Sequence, residues 1–458
     1  MSSLFIALDI AKNTLLNTQV QIGTASHNIA NADNTAYAKQ KVLLVTNPPI
    51  ETAAGFLGMG ARVDQIVQQR DQFIERSLIG CISKDSDYNA RSASLKTAGA
   101  QLLDNGDQGI SSALGTFWNS WEALSQNPAG LTEKTAVTQA ITNLASAIRG
   151  AVGGLTDTAN NLEAEAQSEV GTVNGLLSDI ASYNKEISAD EVGGQSANDL
   201  RDLRYQALTK LAESLPISYK EETNGSLTVT LKDDTTEITL VSGNQSGALT
   251  YDTTNHGVTY SDYQGTTYDG FQLSAGRLNG LLTVYNATGM SHDLDYVLAN
   301  PGAADLTYVD RLNALASTLI TEVNGAYGSN VFSGTDATDI NIDPAFSIDA
   351  NLDPNQALSV SQLQDTKLAA LGNSQFSGYL SDIQQRLGLD QQNAVAQGSF
   401  QDTLRQQLES QQQSVSGVSI DEEMVDMLKF QQVYQAAAKV IQYTAAMLNT
   451  ITQIVPSS

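Results

Sequence analysis

The strongest constraint in this sequence is a pair of apolar stripes, one at each end. Near the start, Met1, Leu8, Leu15, Ile22 and Ile29 stand seven apart, and Leu4, Ala11, Thr18, Ala25 and Ala32 repeat the spacing three places on. This is an a/d seam held over five heptads, with Thr18 as its one polar member. Its d positions are mostly small, so a partner helix can approach closely. No proline precedes Pro48, and Gly23 is the only glycine before Gly55. Near the other end, Ile420, Met427, Tyr434, Ile441 and Leu448 form a second seven-residue ladder, flanked by Met424, Ala438 and Ala445 and interrupted by Gln431. Ser419-Ile420-Asp421-Glu422 predicts its capped start, and Pro456 lies just past its end. A lone helix with such a stripe is unstable in water, because nothing covers its apolar face. Two stripes at opposite ends therefore predict mutual pairing as a coiled coil, followed by burial against neighbouring subunits. The competing reading is two core helices of a globular domain.

Bulk properties narrow the partners. The 458 residues carry a formal net charge of −26, which repels nucleic-acid phosphates and an anionic membrane leaflet. No run approaches the ~20 apolar residues of a membrane span, and Asp9 and Lys12 interrupt the apolar start, unlike a cleaved secretory signal. The single cysteine, Cys81, excludes an internal disulfide and is expected as a small buried hydrophobe.

Between the stripes the period changes twice. Residues 36–80 are turn-rich, with a strand over Lys41–Thr46 broken by Asn47-Pro48-Pro49; Val63, Ile66 and Val67 restart an apolar pattern that leads into helix through Phe73 and Leu78. Helical spacing then runs in blocks, with breaks at Asp104-Asn105-Gly106, Asn127-Pro128, Gly150 and Gly153-Gly154, up to Pro216. From there Leu227-Thr228-Val229-Thr230-Leu231 and Glu237–Val241 alternate as strands, with turns at Asn224-Gly225 and Lys232-Asp233-Asp234. Helix resumes with Leu306–Val323; residues 328–365 are loop-rich, and 384–415 are Gln-rich but helical. The expected fold is mainly α with a β-rich insert. A terminal coiled-coil assembly domain spans 1–45 and 418–458, a discontinuous helical-bundle domain 46–215 and 277–417, and a small β domain 216–276. Such nesting puts both termini at one end of the molecule and the insert at the other.

Ser26-His27-Asn28-Ile29-Ala30-Asn31 through Tyr37-Ala38-Lys39-Gln40 resembles the N-terminal signature of bacterial flagellar rod, hook and hook-associated axial proteins. The matching positions are Ser26, Asn28, Ile29, Ala30, Asn31, Tyr37 and Gln40; Asn34, Ala36 and Lys39 depart from the usual Thr, Gly and Arg. Gly417–Met424 and Phe430-Gln431-Gln432-Val433-Tyr434 through Ile441 closely resemble the members of that family that join hook to filament. Interior pieces agree: Leu124–Pro128, Asn198–Arg204, Gly276–Leu282, Leu312–Ala316 and Glu322–Asn324. The resemblance implies export in an unfolded state through the flagellar type III apparatus and an extracellular place at the hook–filament junction. It also implies a ring of like subunits between the hook protein and a second junction protein, an export chaperone on the C-terminal helix, and terminal helices that order on assembly.

No chemistry competes with this reading. His27, His256 and His292 are scattered without a second ligand at metal spacing. Asp336, Asp339, Asp343 and Asp349 lack the glycine and glutamate of a calcium loop. Gly150–Gly154 lacks the lysine of a phosphate loop, and Trp118 and Trp121 are expected in packing. Asp199, Arg201, Asp202 and Arg204 form a dense cluster expected to pair across helices. The chain is thus expected to be a structural subunit without enzymatic activity or cofactor, and without a nucleic-acid or membrane partner. The alternatives are a hook or distal-rod protein, or a secreted adhesin or enzyme using residues 216–276 as a binding head.

Overall fold

The computed structural model describes residues 2–52, 55–102, 109–232, 237–270 and 272–454. Met1, the Asp104-Asn105-Gly106 turn, Asp233-Asp234 and Pro456 lie outside them. The first stripe becomes α1 (Ser2–Ala30) and the second α11 (Ile420–Ile454). They pack on each other antiparallel: Ser26 near the end of α1 reaches Met427, and Asn28 reaches Glu423 at the start of α11. The outer ends of the two helices therefore lie together, at the end of the pair opposite Asn28 and Glu423.

A ribbon follows α1. β1 (Gln40–Thr46) pairs antiparallel with β4 (Ala61–Gln68), and a smaller hairpin of β2 (Ile50–Thr52) and β3 (Gly55–Leu57) lies between them. The apolar pattern at Val63, Ile66 and Val67 is thus the inner strand of this ribbon. Helix begins only at α2 (Gln72–Leu102), where Asp71 caps the backbone of Phe73 and Ile74.

The body is built on α4 (Leu131–Asp190), a 60-residue helix about 90 Å long at 1.5 Å per residue. It runs unbroken through Gly150, Gly153 and Gly154, where glycine spacing predicts a break. Val137, Ile141, Leu144, Ile148, Val152 and Leu155 keep one buried face through that stretch. Burial of such side chains, about 1.5–3 kcal/mol each, outweighs about 1 kcal/mol per helical glycine. Around α4 pack α2, α3 (Ile110–Gln126), α5 (Asn198–Ser214), α6 (Arg277–Thr288) and α8 (Tyr308–Tyr327). The short α7 (Leu294–Ala299) and α9 (Pro354–Gln362) fill the edges, and α10 (Phe376–Ser416) lies along α2. Pro354, expected in loop, occupies the first turn of α9 behind its cap Asp353. At the tip farthest from the terminal pair, Phe117, Trp118 and Trp121 pack with Tyr327, Phe332 and Phe376.

Gly280 on α6 marks a close approach of α6 to α2. A Cβ there would stand 2.5 Å from the carbonyl oxygen of Asp87 and 2.8 Å from the Ala90 Cβ on α2. Gly280→Val is expected to push α6 off α2 at a cost of about 1–3 kcal/mol, read as a lowered thermal midpoint. An unchanged midpoint would show that the contact has slack.

The remaining strands form two larger antiparallel sheets and one two-stranded pair. β5 (Ile217–Glu221), β6 (Leu227–Lys232), β7 (Glu237–Ser242) and β8 (Gln245–Ser246) make one of four strands. β9 (Ala248–Asp252), β10 (Gly257–Ser261) and β11 (Thr267–Tyr268) make one of three, and β12 (Phe332–Ser333) pairs with β13 (Asn341–Ile342). Leu227, Val229, Leu231, Ile238, Leu240, Leu249 and Tyr260 join the same apolar core as α4. Asn184 bonds Leu227, Asn174 bonds Leu249, and Glu163 meets His256, so the two larger sheets run along the second half of α4. They lie between the terminal pair and the aromatic tip rather than at the far end that nesting suggests. The reason is local: asparagine amides on helices complete the backbone bonding of strand edges. Asn174 does so for Leu249 at 2.7 and 2.8 Å, Asn184 for Leu227 at 2.8 and 2.9 Å, and Asn17 for Ala61 and Val63 at 2.7 and 3.1 Å.

Candidate functional site

Two features are built around the terminal pair: the pair's own faces, and the joint that ties it to the body. The buried line of α1 is Ala11, Thr18 and Ala25, the small d positions of the seam. Thr18 donates its hydroxyl back to the Thr14 carbonyl at 2.6 Å, so no polar group is stranded in the seam. Leu4, Leu8, Leu15, Ile22, Ile29 and Ala32 are half-buried beside it. On α11 the buried line is Glu423, Ala437 and Thr444, with Phe430 half-buried in step. Met427, Tyr434, Ala438, Ile441 and Leu448 are half-buried, whereas Ile420, Met424 and Ala445 face outward. The spacing of seven through Glu423, Phe430, Ala437 and Thr444 is present in the sequence but hidden by its mixed polarity. Thr444, like Thr18, satisfies itself, donating to the Val440 carbonyl at 2.7 Å.

Small residues on both sides let the helices close together and leave larger ones outside. Phe5, Leu16, Val425, Leu428, Val433, Val440, Tyr443 and Met447 are all exposed, Leu428 at 56% and Tyr443 at 68%. A run of large apolar side chains along one helical pair is a contact surface awaiting cover.

The joint centres on Asn28, 1% exposed. Its Oδ1 accepts from the Tyr37 hydroxyl at 2.7 Å and the Gln40 amide at 3.0 Å. Its Nδ2 donates to the Gln40 carbonyl at 2.9 Å and to Glu423 Oε2 at 3.1 Å. All four bonding positions of one amide are filled, and together they lock α1, the following loop, β1 and α11. Asn31 holds the end of α1 by donating to the His27 carbonyl, and His27 packs edge-on against Tyr37. Ser26 and Ala30 point outward and Ile29 is half-buried. Lys39 binds Glu423 at 2.9 Å and Glu422 at 3.5 Å. Burial opposes its charge, but the bond to Glu423 prevails and holds its pKa above the usual lysine value. Burial, with Asp202, Asp199 and Glu423 nearby, pushes the Tyr37 phenol well up, so it remains a donor.

On the body side the charged cluster of α5 faces two ways. Asp199 accepts from Gln40 Nε2 at 3.2 Å and meets His27 at 3.3 Å; Asp202 accepts from the Ala38 amide, Gln68 and Arg70. Arg201 instead binds Glu191 at 2.7 Å and Glu221 at 2.6 Å, and Arg204 donates to Asn184 and to the Gly225 carbonyl. Burial lowers the Arg204 pKa to about 10, which leaves it charged at neutral pH. One helix therefore couples the terminal pair to the β5–β6 corner. The pairing across elements is foreseeable from the alternating charges; its partners Gln40, Gln68 and Arg70, distant in sequence, are not.

The arrangement is mechanical. Each histidine has a carboxylate partner, the loop aspartates 336, 339, 343 and 349 cap nearby backbone amides, and both tryptophans are buried in the tip. Among the described residues no cluster of His, Cys, Asp and Glu could hold a metal ion, and no helix is long and apolar enough to cross a membrane.

A family model described as the flagellar hook-associated protein FlgK helical domain matches residues 100–332, more than half of the chain. The chain belongs to the FlgK family of flagellar hook-associated proteins. A second model, the C-terminal region of flagellar basal body rod FlgEFG proteins, matches residues 410–454, which contain α11. Flagellar hook-associated protein 1 of Bacillus subtilis (strain 168) is 24% identical over 501 aligned residues, covering 98% of each chain. The protein of the same name from Salmonella typhimurium is 26% identical over 376 residues, covering 81% of this chain and 65% of its own. A solved structure titled as the flagellar hook junction protein FlgK from Burkholderia pseudomallei aligns with a TM-score of 0.46 at 19% identity, over 56% of this chain and 46% of that one. The chain is therefore an axial structural protein of the flagellum, non-catalytic, with an extracellular flagellar location and assembly with other flagellar components implied by its family.

Proposed function

We propose that this chain is the adaptor at the hook–filament junction, self-assembling into a ring between the hook protein and a second junction protein. The observation that carries this reading is the uncovered outer face of the terminal pair. Pairing consumes the small residues and leaves Leu428, Val433, Val440, Tyr443 and Met447 in water. That face suits helical neighbours in an axial core, where each copy covers the next. Residues 1–45 and 418–458 then act as the assembly unit, and the outward positions Ile420, Met424 and Ala445 meet neighbours rather than α1. The rest of the chain forms the projecting body. Passage through the flagellar type III apparatus, with a chaperone shielding α11 beforehand, fits a stripe that is exposed until neighbours arrive.

Leu428→Glu combined with Tyr443→Glu tests this. Both sites are exposed, so the monomer should keep its helical content and thermal midpoint. Incorporation at the hook end, followed by immunogold labelling of purified hook–basal bodies, should fall at least ~100-fold, since two charges buried without partners cost several kcal/mol. Incorporation at the unmodified level would rule out this face as the interface.

A further inference from the structure

The joint places two buried carboxylates on one guanidinium. Arg70, in the short link between β4 and α2, binds Glu75 through Nη1 at 2.8 Å and Asp202 through Nη2 at 2.5 Å. Its guanidinium lies over the Tyr205 ring, 4.6 Å from the centroid. This trio carries one more negative than positive charge. Neighbouring cations do not supply the balance: Arg201 is held by Glu191 and Glu221, Arg204 by Glu221 and backbone, and Lys39 by Glu423 and Glu422. The other groups facing the cluster are His27 and Tyr37 from α1 and its loop, Arg76 from α2, Asp199 and Tyr205 from α5, and Tyr219 from β5. Tyr219 donates its hydroxyl to Glu75 Oε2 at 3.3 Å, and Arg76 lies 5.9 Å from the Tyr219 ring centre.

The two oxygens of Asp202 are not equivalent. Oδ1 takes three donors from three separate positions: the Ala38 amide at 3.3 Å, Gln68 Nε2 at 2.8 Å and Arg70 at 2.5 Å. Oδ2 is buried and has no hydrogen-bond partner. An ionised carboxylate with one bare, buried oxygen is costly. A proton on Oδ2 replaces that bare charge by a neutral hydroxyl, which costs less to bury, and displaces no donor, because Oδ1 remains a carbonyl acceptor for all three.

We propose that the joint is a proton-linked hinge: closing it around Arg70 takes up one proton on Asp202, so the terminal pair is held most firmly to the body in mildly acidic medium and loosens as the pH rises. Of the residues that Asp202 gathers, Ala38 and Arg70 belong to the links through which the chain passes between pair and body, and Gln68 ends β4 just before the second link. Opening the joint hydrates the carboxyl and releases the proton. Burial, outweighing Arg70, raises the Asp202 pKa from 3.8 to about 6, and burial raises that of Glu75 as well. A carboxyl held above its exposed value contributes stability to the closed form that is complete below the exposed value and lost as the pH rises through about 6. This device stands apart from the assembly role and holds whichever neighbours cover the pair.

Hydrogen exchange on the full-length protein tests it. Between about pH 5 and about pH 7.5, protection of amides in residues 37–40 and 198–206 should fall about tenfold beyond the intrinsic change in exchange rate. Amides of α4 around Leu144 and Leu155, far from the joint, should show no such loss. Asp202→Asn removes the titrating group and should abolish the pH dependence. Glu75→Gln removes the surplus negative charge and should move the transition to lower pH. Protection independent of pH in the unmodified protein, an undiminished dependence in Asp202→Asn, or an unmoved transition in Glu75→Gln each overturns the proposal.

Discussion

Ending the chain at Ser419 is expected to leave a folded body that no longer enters any axial assembly. The core argues for the first half of that result. Its buried cluster runs from Leu78 on α2 to Ala394 on α10 and includes no residue of α1 or α11. Removing α11 therefore opens no cavity in the body, and the thermal midpoint followed by the fluorescence of Trp118 and Trp121 should stay within a few degrees, the shift produced by under about 1 kcal/mol in a large domain. The second half follows from the pair. Without α11, the Ala11, Thr18 and Ala25 line loses its cover, Asn28 loses Glu423, and Lys39 loses both of its carboxylates. A 29-residue helix with one apolar stripe and no partner is marginal in water, so α1 should fray. Circular dichroism should lose more helix than the 35 residues of α11 account for. Co-assembly with purified hook ends, read by sedimentation, should fall to background. Sedimentation with hook ends at the unmodified level would mean that assembly lies in the body.

How far the sequence foretells this structure depends on the range of the interactions concerned. The helical pair, its small-residue seam on α1, the helical body and the strands over residues 217–268 are legible because periodicity is local. The unbroken α4 is not: three glycines within five residues look like a stop, and only the continuous burial of Val152, Leu155 and Leu162 against other elements overrules them. The place of the sheets is hidden for a similar reason. Asn174 and Asn184 look like ordinary polar residues on a helix until Leu249 and Leu227 present their backbone groups to them. In the joint, Asn28, Tyr37 and Gln40 are visible as a motif, and the alternating charges of α5 announce ion pairs. The partners are not announced, because Arg70 lies 132 positions from Asp202 and Asn28 lies 395 from Glu423. Spacing carries information about one element's faces; it carries none about which distant face arrives opposite.

Asn28→Leu should separate the terminal pair from the body without unfolding either. The two side chains share one branched heavy-atom skeleton, so the main effect is the loss of hydrogen bonds rather than a change of shape. Leucine leaves three groups without their partner, the Tyr37 hydroxyl and the Gln40 amide and carbonyl, and strips one donor from Glu423, which keeps Lys39. Each buried polar group left unpaired costs about 1–3 kcal/mol, and partial hydration reduces the sum, so the joint should weaken by about 3–5 kcal/mol. That loss should appear as faster hydrogen exchange over residues 37–42 and 420–426, while the tryptophans at the tip report an unchanged unfolding midpoint. Asn28→Asp gives an independent check. A carboxylate still accepts from Tyr37 and Gln40, but it cannot donate, and it sets a negative charge against Glu423 and the Gln40 carbonyl. The repulsion exists only while both carboxyls are ionised, so this variant should approach the unmodified protein on acidification, whereas Asn28→Leu should not recover. Equal defects in the two variants at every pH would mean that Asn28 only fills space, and that the joint is held by the Lys39 and Arg70 ion pairs alone.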